Sequence, residues 1–310
     1  MDIVVLKFGG TSVCDEKTRY EAFKHIRREV NAGYRVVVVV SAMGRVGAPY
    51  ATDTLKSLVA YHLSKKESDR LISCGEVISS IVMSDFLQQE GLKACALAPN
   101  EVGIKTDRNF SNANIEKVET DYLLSQLKEY QVVVVPGFVG TTSENEITTL
   151  GRGGSDTSAV ALGAALHAVY VDIYSDVEGV MTADPKLVKN ARVLEKISYD
   201  NLIALAARGA KVIHLKAVEL AKQNHVKLRL RSTTADHIGT YVVEEEISSI
   251  SLAYKTGYTR YELVGVTTPI NCQPLTKHGL YWYASSQDEK VVEDYLTENK
   301  ISYQKEENYV

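Results

Sequence analysis

A lysine and two adjacent glycines near the start of the chain have the composition of a phosphate-binding turn. The segment Lys7-Phe8-Gly9-Gly10-Thr11-Ser12 follows a short apolar run. Adjacent glycines let main-chain N–H groups approach a bulky anion, and a lysine before them can place its ammonium group on phosphate oxygens. The pattern differs from GxxxxGK(S/T), so it does not predict a Walker-type loop. A tight turn without a ligand is the alternative.

A second glycine-rich segment is Gly151-Arg152-Gly153-Gly154-Ser155-Asp156-Thr157-Ser158, which precedes a stretch of helical character. Arg152 offers paired N–H groups to a carboxylate or a phosphate, and the serine, aspartate and threonine can cap the helix. A capped glycine-rich turn is the alternative, but it gives no reason for an arginine between flexible residues. We therefore predict a functional site here.

Glu76 belongs to the segment Ser73-Cys74-Gly75-Glu76, inside a long and mostly apolar helical stretch. Taken alone, the residue is more typical of the polar stripe of a surface helix than of a site. A buried glutamate at this position would need a cationic partner to offset its desolvation.

Two later segments could complete a nucleotide site. The run from Tyr174 to Lys186 (YSDVEGVMTADPK) follows a strand-like stretch, and ligands gather at the carboxyl ends of parallel strands. An ordinary loop is the alternative. In Gly209-Ala210-Lys211-Val212, a lysine stands at a predicted helix start, which is electrostatically unfavourable unless an anion binds there. One polyphosphate contacted by both Lys7 and Lys211 would resolve this conflict.

Strands and helices must position these segments, and the sequence predicts that the two alternate along the chain. Apolar runs rich in β-branched residues predict buried strands at Ile3–Leu6, Val36–Val40, Ala94–Leu97, Val132–Val135, Val169–Tyr174 and Val226–Leu230. Amphipathic stretches predict helices over Lys17–Asn31, Asp69–Gln89, Ala113–Lys128, Ser155–His167 and Ala210–Asn224. The alternation predicts an α/β fold, with a mostly parallel sheet and helices on both faces.

The composition changes near Val243. All five Phe residues precede it, whereas eight of the 18 Tyr and the single Trp follow it. We predict a domain boundary over Tyr241–Glu246, which divides the chain into 1–243 and 244–310; a surface turn within one domain is the alternative. The second part is predicted to be a small α+β module, with strands at Glu262–Val266, Leu280–Ala284 and Ile301–Tyr303 and a helix over Asp288–Asn299.

The overall composition is typical of a soluble globular protein, with 310 residues, 45% hydrophobic and 24% charged. The net charge of −4 argues against a nucleic-acid partner. No apolar run approaches the roughly 18 residues that cross a membrane, and the N-terminus does not resemble a signal peptide. The four cysteines are scattered, which predicts a reducing compartment, the cytoplasm.

Taken together, these segments resemble the aspartokinases of the amino acid kinase superfamily. The motifs are, in order, KFGGTSV, VVVSAMG, SCGE, TTLGRGGSDTSA, YSDVEGVMTADP and GAKVIH. The resemblance covers Met1 to about Val243, and the stretch SAMGRVGAPYATDTL is similar to bacterial diaminopimelate- and lysine-pathway enzymes. It implies an amino acid kinase fold for 1–243 and a shortened, ACT-like regulatory module for 244–310.

The resemblance also implies a reaction: transfer of the γ-phosphoryl group of ATP to the β-carboxylate of L-aspartate, the first step towards lysine, threonine, methionine and diaminopimelate. The implied catalytic residues are Lys7, Asp156 and Lys211. The implied ATP contacts are Lys7, Phe8, Gly9, Gly10, Ser41, Ser155, Ser175, Asp176, Met181, Lys186, Lys211 and Val212. The implied aspartate contacts are Ser41, Thr52, Glu76, Arg152, Gly153, Gly154 and Ser155. Mg²⁺ would be held mainly by the nucleotide phosphates, without a metal site built by the protein, in a cytoplasmic homodimer with no membrane partner.

Three positions depart from the family pattern, which often has Tyr at Met181, Arg at Lys186 and Pro at Leu215. The first two departures concern nucleotide affinity rather than activity. Two other functions stay open: an amino acid kinase acting on acetylglutamate, glutamate, carbamate or UMP, and a catalytically weak regulatory partner of a full-length aspartokinase. The SCGE and KFGGTS segments argue against the first, and the presence of Lys7, Arg152 and Asp156 argues against the second.

Overall fold

A computed structural model describes residues 1–59, 62–182, 190–207, 212–245, 258–264, 276–278, 281–285, 288–298 and 302–309. The chain divides into two compact units, Met1–Leu252 and Ala253–Val310.

The first unit alternates strands and helices along most of its length. Its described strands are β1 (Ile3–Phe8), β2 (Arg35–Val40), β3 (Ala94–Ala96), β4 (Ile104–Thr106), β5 (Ile115–Val118), β6 (Val132–Pro136), β7 (Val139–Thr141), β8 (Ile147–Thr149), β9 (Val171–Ser175), β10 (Lys196–Ser198), β11 (Leu228–Ser232) and β12 (Thr240–Val243). Its described helices are α1 (Glu16–Asn31), α2 (Thr52–Ser57), α3 (Lys65–Gln89), α4 (Pro99–Val102), α5 (Asp121–Glu129), α6 (Gly154–Ala165), α7 (Tyr199–Ala207) and α8 (Leu215–Gln223). Capping boxes begin α1, at Asp15 and Thr18, and α3, at Ser64 and Glu67.

An eight-stranded sheet forms the centre of this unit, in the order β10-β12-β11-β9-β1-β2-β6-β3. Neighbours from β11 to β3 pair in parallel, whereas β12 runs antiparallel to β11. The mostly parallel α/β sheet predicted from the sequence is therefore confirmed. Phe8, the last residue of β1, pairs with Val40 of β2 and Tyr174 of β9, so the turns after these three strands gather at one edge.

Helices cover both faces of the sheet. On one face, Leu6 and Val38 belong to a buried cluster with Ile26 of α1 and Met83 of α3. On the other face, α6 packs so closely on β9 that a Cβ on Gly163 would lie 2.2 Å from Val171. Because the central strands are buried on both sides, they are continuous apolar runs in the sequence.

A second, four-stranded sheet of short strands has the order β5-β4-β7-β8. The prediction of one continuous helix over Ala113–Lys128 is wrong. Strand β5 of this sheet occupies residues 115–118, and helix α5 begins only at Asp121. The spacing of Ile115 and Val118 fits a helix, but antiparallel pairing with β4 overrides this local preference. Similarly, α8 begins at Leu215, later than the predicted Ala210, which lies outside the described residues.

Helix α3 is long and apolar enough, by length and composition alone, to cross a membrane. However, 56% of its apolar stretch is buried inside the protein, and the carboxyl groups of Asp69 and Glu76 are buried with it. Both accept hydrogen bonds from other parts of the unit. These contacts identify α3 as a core helix of the first unit.

The second unit contains a four-stranded antiparallel sheet and a helix. Its described elements are β13 (Tyr258–Val264), β14 (Thr276–His278), β15 (Tyr281–Ser285), α9 (Glu289–Glu298) and β16 (Ser302–Tyr309). The strand order is β14-β15-β13-β16. This is the α+β class predicted for the end of the chain; its ACT-like character stays a prediction.

Candidate active site

The lysine of the first glycine-rich turn lies beside the aspartate of the second. Lys7 is in β1 and Asp156 is in the first turn of α6, and their Nζ and Oδ1 atoms are 2.6 Å apart. Both residues are buried, with 9% of each exposed. The main-chain N–H of His214 also donates to Asp156, at 3.4 Å. The two segments singled out in the sequence therefore meet at one site.

Gly10 permits a close approach between two turns. A Cβ there would lie 2.4 Å from the carbonyl oxygen of Ala42 and 2.7 Å from that of Gly44, so no other residue fits without displacing the backbone. The N–H of Gly44 donates to the Gly10 carbonyl at 3.0 Å. The turn after β1 and the turn after β2 are thus packed together, next to Ser41.

Two glycines shape the turn that carries Arg152. Gly151 and Gly153 have φ values of +75° and +72°, in the left-handed region that favours glycine. A Cβ on Gly153 would lie 2.1 Å from the Cβ of His214. Arg152 between them is exposed and lines a cavity.

Glu76 lies on the buried side of α3, with only 2% of the residue exposed. One carboxyl oxygen accepts a hydrogen bond from the Ala42 N–H at 3.2 Å, and the other has no partner among the described groups. Burial raises the pKa of this carboxyl to about 8. The preceding Gly75 lets the 42–50 segment approach, because a Cβ there would lie 2.6 Å from the carbonyl oxygen of Tyr50. The surface interpretation of Glu76 is wrong.

These groups line one cavity of about 580 Å³. The predicted site residues that it brings together are Lys7, Ser41, Thr52, Glu76, Arg152, Gly153, Gly154, Ser155 and Asp156. The remaining lining residues were not predicted as contacts: Asp53, Lys56, Ser68, Ile72, Ser111, Phe138, Thr149 and Gly151. Thr52, Asp53 and Lys56 lie on the short helix α2. Thr52 and Lys56 are four residues apart and therefore share one face of this helix, a spacing from which Lys56 could have been predicted to line the cavity.

The other predicted nucleotide contacts that the structure describes are not among the residues lining this cavity. Ser175 ends β9, and the neighbouring Asp176 forms an exposed ion pair with Arg45, with 2.6 Å between Oδ2 and Nη2. Met181 forms an isolated bridge with Val193. The ring of Phe8 is buried and stacks on Tyr174, with 4.6 Å between ring centroids, so only its main chain is left for a nucleotide. Val212 is half-buried, and Lys186 and Lys211 lie outside the described residues.

Over residues 2–232, the chain matches the model of the amino acid kinase family. The chain belongs to the amino acid kinase family. It is 49% identical to aspartokinase 1 of Bacillus subtilis over 253 residues, which cover 81% of this chain and 63% of that protein. The chain thus spans less than two thirds of the length of that relative.

Solved structures of similar fold agree with this membership. The aspartate kinase from Synechocystis is 32% identical, with a TM-score of 0.70, and the match covers 96% of this chain and 55% of that one. Aspartokinase III of E. coli, solved in complex with aspartate and ADP, has a TM-score of 0.72 at 23% identity, over 99% and 86% of the two chains. The second similarity concerns the fold alone.

The chain has a further polar cluster at the same sheet edge, which was not predicted from the sequence. Thr233 follows β11, and its hydroxyl lies 2.6 Å from that of Ser12. Its N–H donates to the Ser175 carbonyl at 3.1 Å, and His25 Nε2 lies 2.9 Å from its carbonyl oxygen. This cluster ties the turn after β1 to the end of β9. The available signal was the run of three hydroxyl residues, Ser232, Thr233 and Thr234, at the end of a strand.

A protein-built metal site is absent from the described residues, which contain no group of three or more His, Cys, Asp or Glu side chains close enough to hold an ion. The carboxylate beside Lys7 is that of Asp156. Mg²⁺ in kinases is commonly held by one or two carboxylates together with substrate phosphates and water. The residues therefore fit an ion that arrives with a nucleotide.

Proposed function

We propose that this chain is an aspartate kinase, which transfers the γ-phosphoryl group of ATP to the β-carboxylate of L-aspartate. The observation that carries the proposal is a single cavity with two kinds of lining. The buried Lys7–Asp156 pair and the glycine-rich turns suit phosphate, whereas the buried Glu76 and the exposed Arg152 suit the two charges of an amino acid. Similarity to curated aspartokinases over 81% of the chain supports the same assignment.

The amino acid end of aspartate would be held by a cation and an anion of the protein. The Arg152 guanidinium can bind the α-carboxylate through two parallel hydrogen bonds. Glu76 would pair with the α-ammonium group, which supplies the cation that its burial demands. The hydroxyls of Ser41 and Thr52 and the N–H groups of residues 153–155 are left for the β-carboxylate.

The phosphates of ATP would lie at the other end, on Lys7, the Gly9–Gly10 turn and the N-terminus of α6, with Lys211 as a second cation. Each close contact between such a cation and a phosphate oxygen contributes about 4 kcal/mol at an effective dielectric of about 20, before desolvation. The nucleoside side would be formed by Ser175, Asp176, Met181, Lys186, Val212 and the main chain of Phe8.

The transfer needs no general base, because a carboxylate is already the nucleophile at neutral pH. An oxygen of the β-carboxylate forms the new bond to the γ-phosphorus while the bond to the β–γ bridging oxygen breaks, so ADP leaves with the electron pair. The protein's task is to bring two anions together. Lys7 and the positive end of the α6 dipole would stabilise the charge on the transferred oxygens. Asp156 would help to hold Mg²⁺, which would supply Lewis-acid stabilisation of the phosphate charge.

We also propose that the chain acts in the cytoplasm as a homodimer, as the resemblance to aspartokinases implies. The described cysteines Cys14, Cys74 and Cys95 are all free thiols, which suits a reducing compartment. Light scattering should give twice the chain mass of 34.2 kDa; the mass of one chain would overturn the dimer.

The proposed function is tested by trapping the product with hydroxylamine. The purified chain with MgATP should form aspartyl hydroxamate from L-aspartate, and little product from succinate, which lacks the amine. The Lys7→Ala variant should lose most of this activity, whereas Lys128→Ala, a substitution at an exposed lysine of α5, should keep it. ADP formation driven by glutamate or UMP, with no response to aspartate, would overturn the proposal.

A further inference from the structure

A buried carboxylate of α3 has no part in the phosphoryl transfer proposed above. Asp69 is 0% exposed and lies two helical turns before Glu76. Its neighbours on α3, Ser68 and Ile72, line the cavity, whereas Asp69 is not among the lining residues. Since an isolated buried carboxylate is strongly unfavourable, its partners indicate what it does.

The two oxygens of Asp69 accept four hydrogen bonds from two residues. Oδ2 accepts from the N–H groups of Ser111 at 2.8 Å and Thr149 at 2.9 Å. Oδ1 accepts from the hydroxyls of the same residues, at 3.2 Å and 2.9 Å respectively. Ser111 and Thr149 both line the cavity. One side chain of α3 therefore holds two separate parts of the cavity wall.

These hydrogen bonds fix a backbone conformation that the chain does not adopt readily. Ser111 has a φ of +73°, and the left-handed region costs a non-glycine residue about 1–2 kcal/mol. Charge-assisted hydrogen bonds to its N–H and hydroxyl offset that cost. Thr149 is held from its other side as well, because its carbonyl oxygen accepts from the Ala113 N–H at 2.9 Å.

Ser111 and Thr149, which donate to Asp69, are close to the turn that carries Arg152. Thr149 precedes Arg152 by three residues. Asn112, next to Ser111, packs so closely on Gly151 that a Cβ there would lie 2.6 Å from its Oδ1. The same Oδ1 accepts a hydrogen bond from Lys216 at 2.9 Å. The loop of residues 107–114 and the turn of residues 150–153 thus form one packed wall, anchored on Asp69.

We propose that Asp69 is a positioning residue for Arg152: its carboxylate holds the wall that directs the guanidinium into the cavity. The inference rests on the proposed function only where it names the α-carboxylate of aspartate as the group that Arg152 binds. Without Asp69, four donors lose their acceptor and the wall loosens. Aspartate binding should suffer, while the ATP end, built on β1 and α6, should not.

Two substitutions separate the hydrogen bonds of Asp69 from its charge. Asp69→Ala removes all four acceptor contacts. In Asp69→Asn, the amide oxygen can replace Oδ2 and accept from both N–H groups, and the amide NH₂ can donate to the two hydroxyls, which rotate to accept. Asn therefore keeps the connections without the charge, and it serves as the matched control.

The kinetic test compares the two KM values. Asp69→Ala should raise the KM for aspartate by about tenfold or more, since a small misplacement of a binding group is costly, and should leave the KM for ATP within about twofold. Asp69→Asn should remain close to the native values. In an Arg152→Ala background, Asp69→Ala should add less than about twofold, because coupled residues are not additive. An equal rise in both KM values, or a full effect without Arg152, would overturn the proposal.

Hydrogen exchange gives a readout that does not depend on the substrate. In Asp69→Ala, the amides of residues 107–114 and 147–153 should exchange faster than in the native chain, while those of β6 stay protected; Asp69→Asn should keep the native pattern. If Asp69→Ala does not fold, Ser111→Ala should accelerate exchange in 107–114 alone. Native-like exchange in these variants would refute the positioning role, whereas a native chain inactive on aspartate would refute only the proposed function.

Discussion

Lys7 can contact a phosphate without losing its buried partner. Its ammonium group has three donors, and the ion pair with Asp156, at 2.6 Å, occupies at most one of them. Two donors are left for oxygens that approach from the cavity. The carboxylate beside it keeps the site near neutrality until a polyanion binds, which limits the cost of burying a lone charge.

Substitutions at the two ends of the cavity should affect different kinetic constants. Lys7 faces charge that redistributes in the transition state, so Lys7→Ala should lower kcat by about 10²–10³-fold. Arg152 would hold a carboxylate remote from the reacting atom, so Arg152→Ala should chiefly raise the KM for aspartate. Steady-state kinetics with each substrate varied checks both. An unchanged aspartate KM in Arg152→Ala, with a collapse of ATP affinity, would reverse the assignment.

Glu76 should make aspartate binding depend on pH. Its pKa of about 8, raised by burial, means that most molecules carry a neutral carboxyl at pH 7. An ammonium group pairs with the ionised form, so the KM for aspartate should fall as the pH rises towards 8. A flat profile, or the same profile in Glu76→Gln, would contradict the role of Glu76.

The same pKa should appear in the stability of the protein. Because the folded-state pKa of Glu76 is about 8 against 4.5 for the free side chain, the unfolded chain binds fewer protons between these two values. The contribution of Glu76 to the free energy of unfolding therefore decreases as the pH rises through this window. Glu76→Gln should accordingly be more stable than the native chain at pH 8, and the difference in Tm should shrink as the pH falls towards 5. Thermal unfolding at several pH values measures this, and a Tm difference independent of pH would rule it out.

Single residues were predictable where their type and local pattern carried the signal. Lys7 and Arg152 belong to glycine-rich segments, and both line the cavity. Asp69 gives no such signal, because its partners Ser111 and Thr149 are 42 and 80 residues away along the chain. The burial of Glu76 also depends on a distant segment, the turn at Ala42.

At the scale of elements, the close contact between the Arg152 turn and the start of α8 should be essential. Gly153→Ala places a methyl group against His214 at a φ of +72°. Gly33→Ala is the matched control, since Gly33 has a φ of +92° but nothing within 4 Å. Both variants carry backbone strain of about 1 kcal/mol, so both should lose some stability. Only Gly153→Ala should lose most of its activity, and equal activity in the two variants would show that the contact is dispensable.

The long buried strands could be predicted, and the short ones could not. Runs such as Val36–Val40 need apolar residues on both faces and have a clear signature. The strands of the second sheet have only three or four residues, and β5 has a half-exposed pattern that suits a helix equally well. Its identity depends on pairing with β4, a tertiary contact that local sequence does not encode.

At the scale of the whole molecule, the fold does not decide which acceptor is phosphorylated. A shared fold hosts different reactions, and the site determines the function. The described residues that line the cavity lie between Lys7 and Asp156, within the first unit. If aspartate is the acceptor, as proposed, its selection would depend on Glu76, Arg152 and the wall around them.

In the proposed transfer, an oxygen of the aspartate β-carboxylate becomes bonded to the γ-phosphorus of ATP, and isotope labelling can follow that oxygen. L-Aspartate labelled with ¹⁸O in the β-carboxylate is incubated with the chain and MgATP, and the product is cleaved with hydroxylamine. Hydroxylamine attacks the acyl carbon, so the phosphate that is released keeps the bridging oxygen. We expect each phosphate released to carry one ¹⁸O atom. Unlabelled phosphate, formed by transfer to water, would show that the aspartate carboxylate is not the acceptor.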